Sequence, residues 1–166
     1  MPMTDVMFSK ASDMWATPRA FFEALDAEFH FKVDAAASPE NTQCKRWYAA
    51  AMWDDKALGG DGALTGDWFE DDGPGPYYLN PPYSRCAAFI AKASEEAKKG
   101  CTVVCLVPAR VDTRWWFQYV WSEEQQRPLP GVEVRFIKGR LKFGDSKNSA
   151  PFPSVIIIFR PLEAAR

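Results

Sequence analysis

Residues 77–107 restrict the fold of this chain more than any other stretch. The short apolar sequence Tyr77-Tyr78-Leu79 stops at Asn80-Pro81-Pro82-Tyr83, and a helical pattern over residues 84–99 follows. Residues 101–107 are then almost continuously apolar, which is typical of a central strand covered on both faces. Strand, helix and strand in this order predict part of an α/β fold with a parallel sheet.

The remaining patterns extend this unit at both ends. Residues 31–34 are predicted as a short strand that ends at an acidic residue, and residues 112–121 are predicted as a helix. Two further strands, over residues 132–137 and 155–159, have no helical pattern between them. We therefore expect them to pair antiparallel at the edge of a mostly parallel sheet.

The length of the chain and the positions of its turn signals favour a single domain over residues 1–166. Residues 1–14 show no pattern and are expected to form a loose segment. A first helix should begin at Thr17-Pro18, with Thr17 as its cap and Pro18 in its first position. Residues 40–75 carry turn signals but no clear periodicity and are the least readable part of the sequence.

Composition and motif absences exclude several classes of function. A net charge of −2 argues against a strongly basic nucleic-acid coat, although it does not exclude a local basic face. No apolar run approaches the roughly 20 residues of a membrane span, and no signal peptide is present, so a cytoplasmic protein is expected. Four cysteines without C-x-x-C spacing and one histidine favour no metal site. The absence of G-x-G-x-x-G argues against a dinucleotide site.

Two strand ends carry residues suited to binding. Ligands of open α/β sheets bind at the carboxyl ends of the strands. There the Asn80 carbonyl and a backbone carbonyl can accept both N–H bonds of an exocyclic amine, while the Tyr83 ring stacks on the attached base. Asp34, followed by Ala35 and Ala36, can accept hydrogen bonds from a ribose hydroxyl or an ammonium group. The simpler alternatives are a rigid Pro-Pro turn and an exposed aspartate at a strand end.

A basic segment near the carboxyl end of the chain allows two interpretations. Lys138, Arg140 and Lys142 alternate with glycine and apolar residues, and Arg135 and Lys147 lie close by in sequence. Such a segment is either a solvated loop or a loop that contacts nucleic-acid phosphates.

In this order, the motifs resemble those of the small DNA N-6-adenine methyltransferases encoded by phages and prophages. The resemblance covers residues 12–161. The matching segments are Trp15-Ala16-Thr17-Pro18, Val33-Asp34-Ala35-Ala36, Asn80-Pro81-Pro82-Tyr83-Ser84, Val107-Pro108-Ala109-Arg110 with Asp112-Thr113 and Trp115, Gly139-Arg140-Leu141-Lys142-Phe143, and Ala150-Pro151-Phe152-Pro153-Ser154.

The resemblance implies a Rossmann-like methyltransferase fold of reduced size that uses S-adenosylmethionine to methylate a flipped adenine in double-stranded DNA. The residues it implies for the cofactor are Trp15, Thr17, Pro18, Asp34, Ala35, Ala36 and Asp55. Catalysis is implied for Asn80, Pro81, Pro82 and Tyr83. DNA contacts are implied for Arg110, Lys138, Arg140, Lys142 and Lys147. Sequence specificity would come from loops, such as 122–131 and 138–153, or would be low. Protection of phage DNA from host restriction is the role the family suggests.

Two other functions stay open on the sequence alone. The same amine-binding motif serves methyltransferases that act on RNA or on protein glutamine, and the basic segment favours nucleic acid over protein. A DNA-binding protein without activity, built on a degenerate methyltransferase fold, is the other alternative. The intact Asn80-Pro81-Pro82-Tyr83 sequence argues against it. The sequence assigns neither a recognition site nor an oligomeric state.

Overall fold

The computed structural model describes residues 15–50, 62–144 and 147–162. The predictions for residues 1–14 and for Asp55 lie outside them. The helices are α1 (Arg19–Phe29), α2 (Trp68–Asp72), α3 (Cys86–Lys99) and α4 (Arg114–Tyr119), with a 3-10 turn at Tyr83–Arg85. The strands are β1 (Val33–Ala37), β2 (Arg46–Ala49), β3 (Tyr77–Leu79), β4 (Val103–Pro108), β5 (Trp121–Ser122), β6 (Arg127–Pro128), β7 (Val132–Phe136) and β8 (Ser154–Phe159).

Within the described residues, six strands form one mixed sheet in the order β2-β1-β3-β4-β8-β7. The first four are mutually parallel, while β8 pairs antiparallel with both β4 and β7. The predicted α/β class, with a mostly parallel sheet and an antiparallel edge, is confirmed and is consistent with a methyltransferase fold. The predicted antiparallel pairing of the last two strands is confirmed as well, with β8 on the inner side.

Side chains that alternate along the strands pack into two hydrophobic clusters, one on each face of the sheet. Tyr77 and Leu79 point to the face covered by α3, where Phe89 and Ile90 are fully buried. Tyr78 points to the opposite face, against Phe22 of α1. Because successive strand residues face opposite sides, β3 places two aromatic side chains in the core and ends at Asn80 on the sheet's edge.

The first strand differs from its prediction. Asp34 is the second residue of β1 rather than its last, because the alanines that follow continue the strand to Ala37. Ala35 and Ala36 are buried, because β1 lies between β2 and β3 and is covered on both faces. Parallel pairing with a second strand thus overrides the low strand preference of alanine.

Residues 62–72 are held to the core by a buried carboxylate. Glu96 of α3 is fully buried and accepts from Lys92 at 2.8 Å and from Lys99 at 3.0 Å. Lys92 also donates to the Gly66 carbonyl, at 2.5 Å. This network fixes the approach to α2, which sequence periodicity did not predict because α2 has only five residues. No helix in the described part of the chain is long and apolar enough to cross a membrane.

Candidate active site at the carboxyl edge of the sheet

Asn80 follows β3 directly, and its side-chain amide is held by residues that precede α1. The Nδ2 atom donates to the Thr17 hydroxyl, 3.1 Å away, and to the Trp15 carbonyl. The Oδ1 atom is buried and has no hydrogen-bond partner among the described residues. An unpaired buried acceptor costs about 1–3 kcal/mol. This oxygen is therefore suited to a ligand that brings an N–H donor.

Thr17 does not cap α1 as predicted. Pro18 occupies the N-cap position, where its side chain makes no capping hydrogen bond. The Thr17 hydroxyl is buried and bonds to the Tyr78 hydroxyl as well as to Asn80. Thr17 makes these tertiary hydrogen bonds instead of capping α1 because they satisfy buried polar groups. The N–H groups of a helix N-terminus at the surface can bond to water.

Asp34 is buried beside Asn80 and accepts two backbone hydrogen bonds. Its Oδ2 accepts from the Gln43 amide at 3.0 Å, and its Oδ1 accepts from the Ala36 amide at 3.3 Å. Burial raises the pKa of Asp34 to about 7, because desolvation of the charge outweighs the two backbone hydrogen bonds. No ion pair to this carboxyl is seen among the described residues, so it is suited to a cationic or hydroxyl-bearing ligand.

These polar groups share a narrow pocket, called here the polar pocket. Its enclosed part is about 20 Å³, room for a single small group. It is lined by Trp15, Ala16, Thr17, Asp34, Ala36, Asn41, Gln43, Tyr78 and Asn80. Sequence reasoning missed Asn41, Gln43 and Tyr78. Asn41 and Gln43 follow β1 at the same sheet edge as Asp34, and two amide side chains shortly after a strand are the signal that could have found them.

Four aromatic rings pack together on the other side of Asn80. The Trp15 and Tyr83 rings are nearly parallel, at 16°, with centroids 6.3 Å apart. Phe152 meets the edge of Tyr83 at 5.2 Å, and Phe143 meets Trp15 at 5.5 Å. The Tyr83 hydroxyl is buried without a partner among the described residues, and burial raises its pKa. Trp15, Tyr83, Phe143 and Phe152 are called the aromatic cluster below.

A wider cleft of about 480 Å³ opens beside this cluster. Its volume falls in the range of about 300–1,000 Å³ that is usual for small-molecule sites. It is lined by Trp15, Tyr83, Ser84, Cys86, Ala87, Arg110, Thr113, Trp115 and Phe152. Trp15 lines both the polar pocket and this cleft.

The connection between β7 and β8 has a buried side and an exposed side. Phe143 and Ala150 are buried, and the connection is tied down by bonds from the Gly144 amide to the Ala16 carbonyl and from the Ala150 amide to the Leu141 carbonyl. The basic side chains of Lys138, Arg140, Lys142 and Lys147 are exposed. Arg135 is different, because it pairs with Glu28 at 2.6 Å and also with Glu133.

The structure brings together most, but not all, of the predicted site residues. Those that line the polar pocket are Trp15, Thr17, Asp34, Ala36 and Asn80, while Tyr83 and Arg110 line the cleft. Pro81 and Pro82 are buried and line neither space. Pro18 and Ala35 line neither space, because Pro18 begins α1 and Ala35 points into the core. The four basic residues of the β7–β8 connection lie outside both spaces.

Comparison with known proteins gives a consistent result. A family described as DNA N-6-adenine-methyltransferase (Dam) matches residues 6–166. A DNA N-6-adenine-methyltransferase of Escherichia phage T1 is 29% identical over 167 residues, covering 91% of this chain and 64% of that relative. A protein of the same name from Haemophilus phage HP1 is 26% identical over 153 residues, covering 90% of this chain and 79% of the relative. The chain thus spans slightly less than two thirds of the phage T1 relative.

Proposed function

The chain belongs to the Dam family of DNA N-6-adenine methyltransferases, and we propose that it methylates the exocyclic amine of adenine in double-stranded DNA. The donor proposed is S-adenosylmethionine. The observation that carries this proposal is the Oδ1 of Asn80, which is buried and has no hydrogen-bond partner in the described part of the chain. An amine N–H satisfies this oxygen, and an aromatic base attached to the amine stacks on the Tyr83 ring.

The motif supplies two acceptors for the amine. Asn80 Oδ1 is the first. The Pro82 carbonyl already accepts from the Arg85 amide at 3.0 Å, so we assign the second role to the Pro81 carbonyl. Both acceptors draw the amine hydrogens to one side and aim the nitrogen lone pair away from them. Positioning and electrostatics of this kind are the main sources of catalysis in a direct transfer.

The polar pocket has the chemistry that the donor requires. When bound, S-adenosylmethionine supplies an electrophilic methyl group on a sulfonium. Asp34 would hold an ammonium or a ribose hydroxyl of this molecule, because its carboxyl is buried without an ion-pair partner among the described residues. The enclosed space admits only one such group, so Asn41 and Gln43 would contact the remainder at the mouth. The amine held by Asn80 and the Pro81 carbonyl would receive this methyl group, with the thioether as the leaving group, and would give up one proton to water.

The target base must leave the duplex to reach Asn80. Extrusion costs a few kcal/mol. Stacking on Tyr83 returns roughly 1–3 kcal/mol, and each amine hydrogen bond adds roughly 0.5–1.5 kcal/mol net. These contributions are comparable with the cost, so the site can hold a flipped adenine. We place the base in the cleft, with Arg110 at its wall.

The exposed cations of the β7–β8 connection would bind the DNA backbone. Lys138, Arg140, Lys142 and Lys147 lie on the outer side of the same segment that packs Phe143 and Phe152 against Tyr83. Phosphate contacts there would therefore place the duplex next to the cleft. Site selection within DNA, a single-domain enzyme and action in the cytoplasm of a bacterial or phage-infected cell complete the proposal.

The test is transfer of labelled methyl from S-adenosylmethionine to unmethylated duplex DNA, with RNA and a protein extract as parallel acceptors. Nucleoside analysis should find N6-methyladenine in the DNA product, and Asn80→Ala should remove the signal. Label in RNA or protein would keep the chemistry and replace the substrate. A folded protein that labels no acceptor would support a binding function instead.

A further inference from the structure

We infer that Thr17 is a positioning residue for Asn80, rather than a residue that holds the cofactor. The inference rests on the proposed function, because it explains how the Asn80 carbonyl comes to face the target amine. The two ends of an asparagine amide have nearly the same shape but opposite hydrogen-bonding character. Catalysis by Asn80 requires that Oδ1, and not Nδ2, point to the substrate.

The Trp15 carbonyl and the Thr17 hydroxyl together select that orientation. The carbonyl can only accept, so it bonds to Nδ2 and would repel Oδ1 in a reversed amide. Thr17 accepts the second Nδ2 hydrogen, at 3.1 Å. With both hydrogens bonded, the amide has no donor left for the substrate side, and its oxygen is the group presented there.

The hydroxyl of Thr17 has little capacity left for a cofactor. A hydroxyl offers one hydrogen and two lone pairs. One position is taken by Asn80 and another by the Tyr78 hydroxyl, which belongs to β3 and is 61 residues away in sequence. Thr17 is 6% exposed, and Tyr78 is 1% exposed. The result is a buried chain of hydrogen bonds from Tyr78 through Thr17 to Asn80.

The backbone around Thr17 is anchored from two further sides. The Gln43 side chain donates to the Thr17 carbonyl at 3.3 Å, and the Gly144 amide donates to the Ala16 carbonyl at 2.9 Å. Residues 15–17 are therefore fixed between the loop after β1 and the β7–β8 connection. This anchoring keeps the Trp15 carbonyl and the Thr17 hydroxyl at the positions that Asn80 requires.

Kinetics separate positioning from cofactor binding. Thr17→Val keeps the shape of the side chain and removes the hydroxyl, while Thr17→Ser keeps the hydroxyl. We expect Thr17→Val to lower kcat about tenfold at saturating cofactor and DNA, since one hydrogen bond to the amide is removed. Thr17→Ser should restore most of the rate, and the Kd for S-adenosylmethionine by calorimetry should stay within about twofold of wild type. An unchanged kcat with a weakened Kd would overturn the inference.

Tyr78→Phe tests whether the hydrogen bonds act as one chain. It removes the outer hydroxyl and leaves the buried ring in place. The double variant with Thr17→Val should be no slower than Thr17→Val alone, because groups that act through one another are not additive. Two independent, multiplying losses would argue against the chain.

A spectroscopic measurement tests the amide directly, without any activity. The sequence has three asparagines, at positions 41, 80 and 148, so labelling with ¹⁵N-asparagine gives three side-chain amide pairs. Asn80→Ala assigns the pair of interest. Thr17→Val should move one Asn80 proton resonance and speed its exchange, with recovery in Thr17→Ser. If both resonances stay in place, the inference fails. If they move in a protein that methylates no DNA, the proposed function fails and the inference stands.

Discussion

The polar pocket and the cleft share Trp15 in their linings but are held together by different forces. In the polar pocket, Asp34, Thr17 and Asn80 are fixed by directional hydrogen bonds. Beside the cleft, rings pack edge to face on Tyr83, and the charges sit outside on a connection between strands. Hydrogen bonds fix the orientation of a group, whereas ring packing and surface charge mainly contribute affinity. Changes in the polar pocket should therefore remove the chemistry, and changes near the cleft should weaken it by degrees.

The largest effect is expected from Asn80→Ala. It removes the acceptor that we propose for the amine, and we expect kcat to fall about a thousandfold, near the upper end for removal of one electrostatic interaction with the reacting group. The fold should survive, because the variant removes the two hydrogen bonds of one side chain and leaves both hydrophobic clusters intact. Single-turnover methylation and thermal unfolding measure the two properties. A rate within tenfold of wild type would remove Asn80 from the mechanism.

The pH dependence of Asp34 tests the polar pocket without substrate. Its pKa is raised from 3.8 to about 7 in the folded protein, so the folded state holds a proton that the unfolded state has lost between these values. The contribution of Asp34 to stability is then present at low pH and is lost as pH rises toward 7. Between pH 5 and pH 7 the loss should be about 2 kcal/mol.

Urea unfolding at pH 5, 6, 7 and 8 measures this contribution. Position 34 cannot titrate in Asp34→Asn. The free energy of unfolding of the wild type minus that of the variant should therefore fall as pH rises from 5 toward 7. S-adenosylmethionine should lower the pKa if it places a cation beside the carboxyl, and its affinity should then rise with pH. A difference that does not vary with pH would show that Asp34 stays ionised.

Tyr83 tests the cleft with two variants that separate its ring from its hydroxyl. Tyr83→Ala removes the stacking surface and should lower kcat/KM for DNA by about tenfold to a hundredfold, which corresponds to about 1–3 kcal/mol. Tyr83→Phe keeps the ring and removes a buried hydroxyl that has no partner among the described residues. It should be at least as stable as wild type. Equal kinetic losses in both variants would assign the effect to the hydroxyl.

The same contrast explains how much the sequence predicted. β3, α3 and β4 were found because their apolar patterns are local and strong, and the Asn80-Pro81-Pro82-Tyr83 motif is contiguous. The antiparallel edge of the sheet was predicted because no helical pattern lies between the last two strands. The aromatic cluster was beyond local patterns. Phe143 and Phe152 belonged to the matching segments, but their contact with Tyr83 depends on the path of a loop without periodicity.

Thr17 shows the opposite kind of error. Thr-Pro before a helix is a sound capping signal, and α1 does begin there. The hydroxyl is nevertheless drawn to Asn80 and Tyr78, more than 60 residues away in sequence. No propensity contains that information. Asn41 and Gln43 were missed for a related reason. They line the polar pocket only because β1 and the loop after it lie beside β3.

The smallest effect on activity is expected from changes at the exposed cations. The salt dependence of DNA binding measures how much these residues contribute. Arg140→Gln with Lys142→Gln should weaken DNA binding and lower the slope of log K against log salt by about 0.9 for each phosphate that is no longer neutralised. At saturating DNA, kcat should change little, because neither residue lies in the polar pocket or the cleft. Arg135→Gln is the matched control, since Glu28 and Glu133 already neutralise its charge. An equal change of slope in the control would mean that general charge, rather than the exposed face of the β7–β8 connection, binds the DNA.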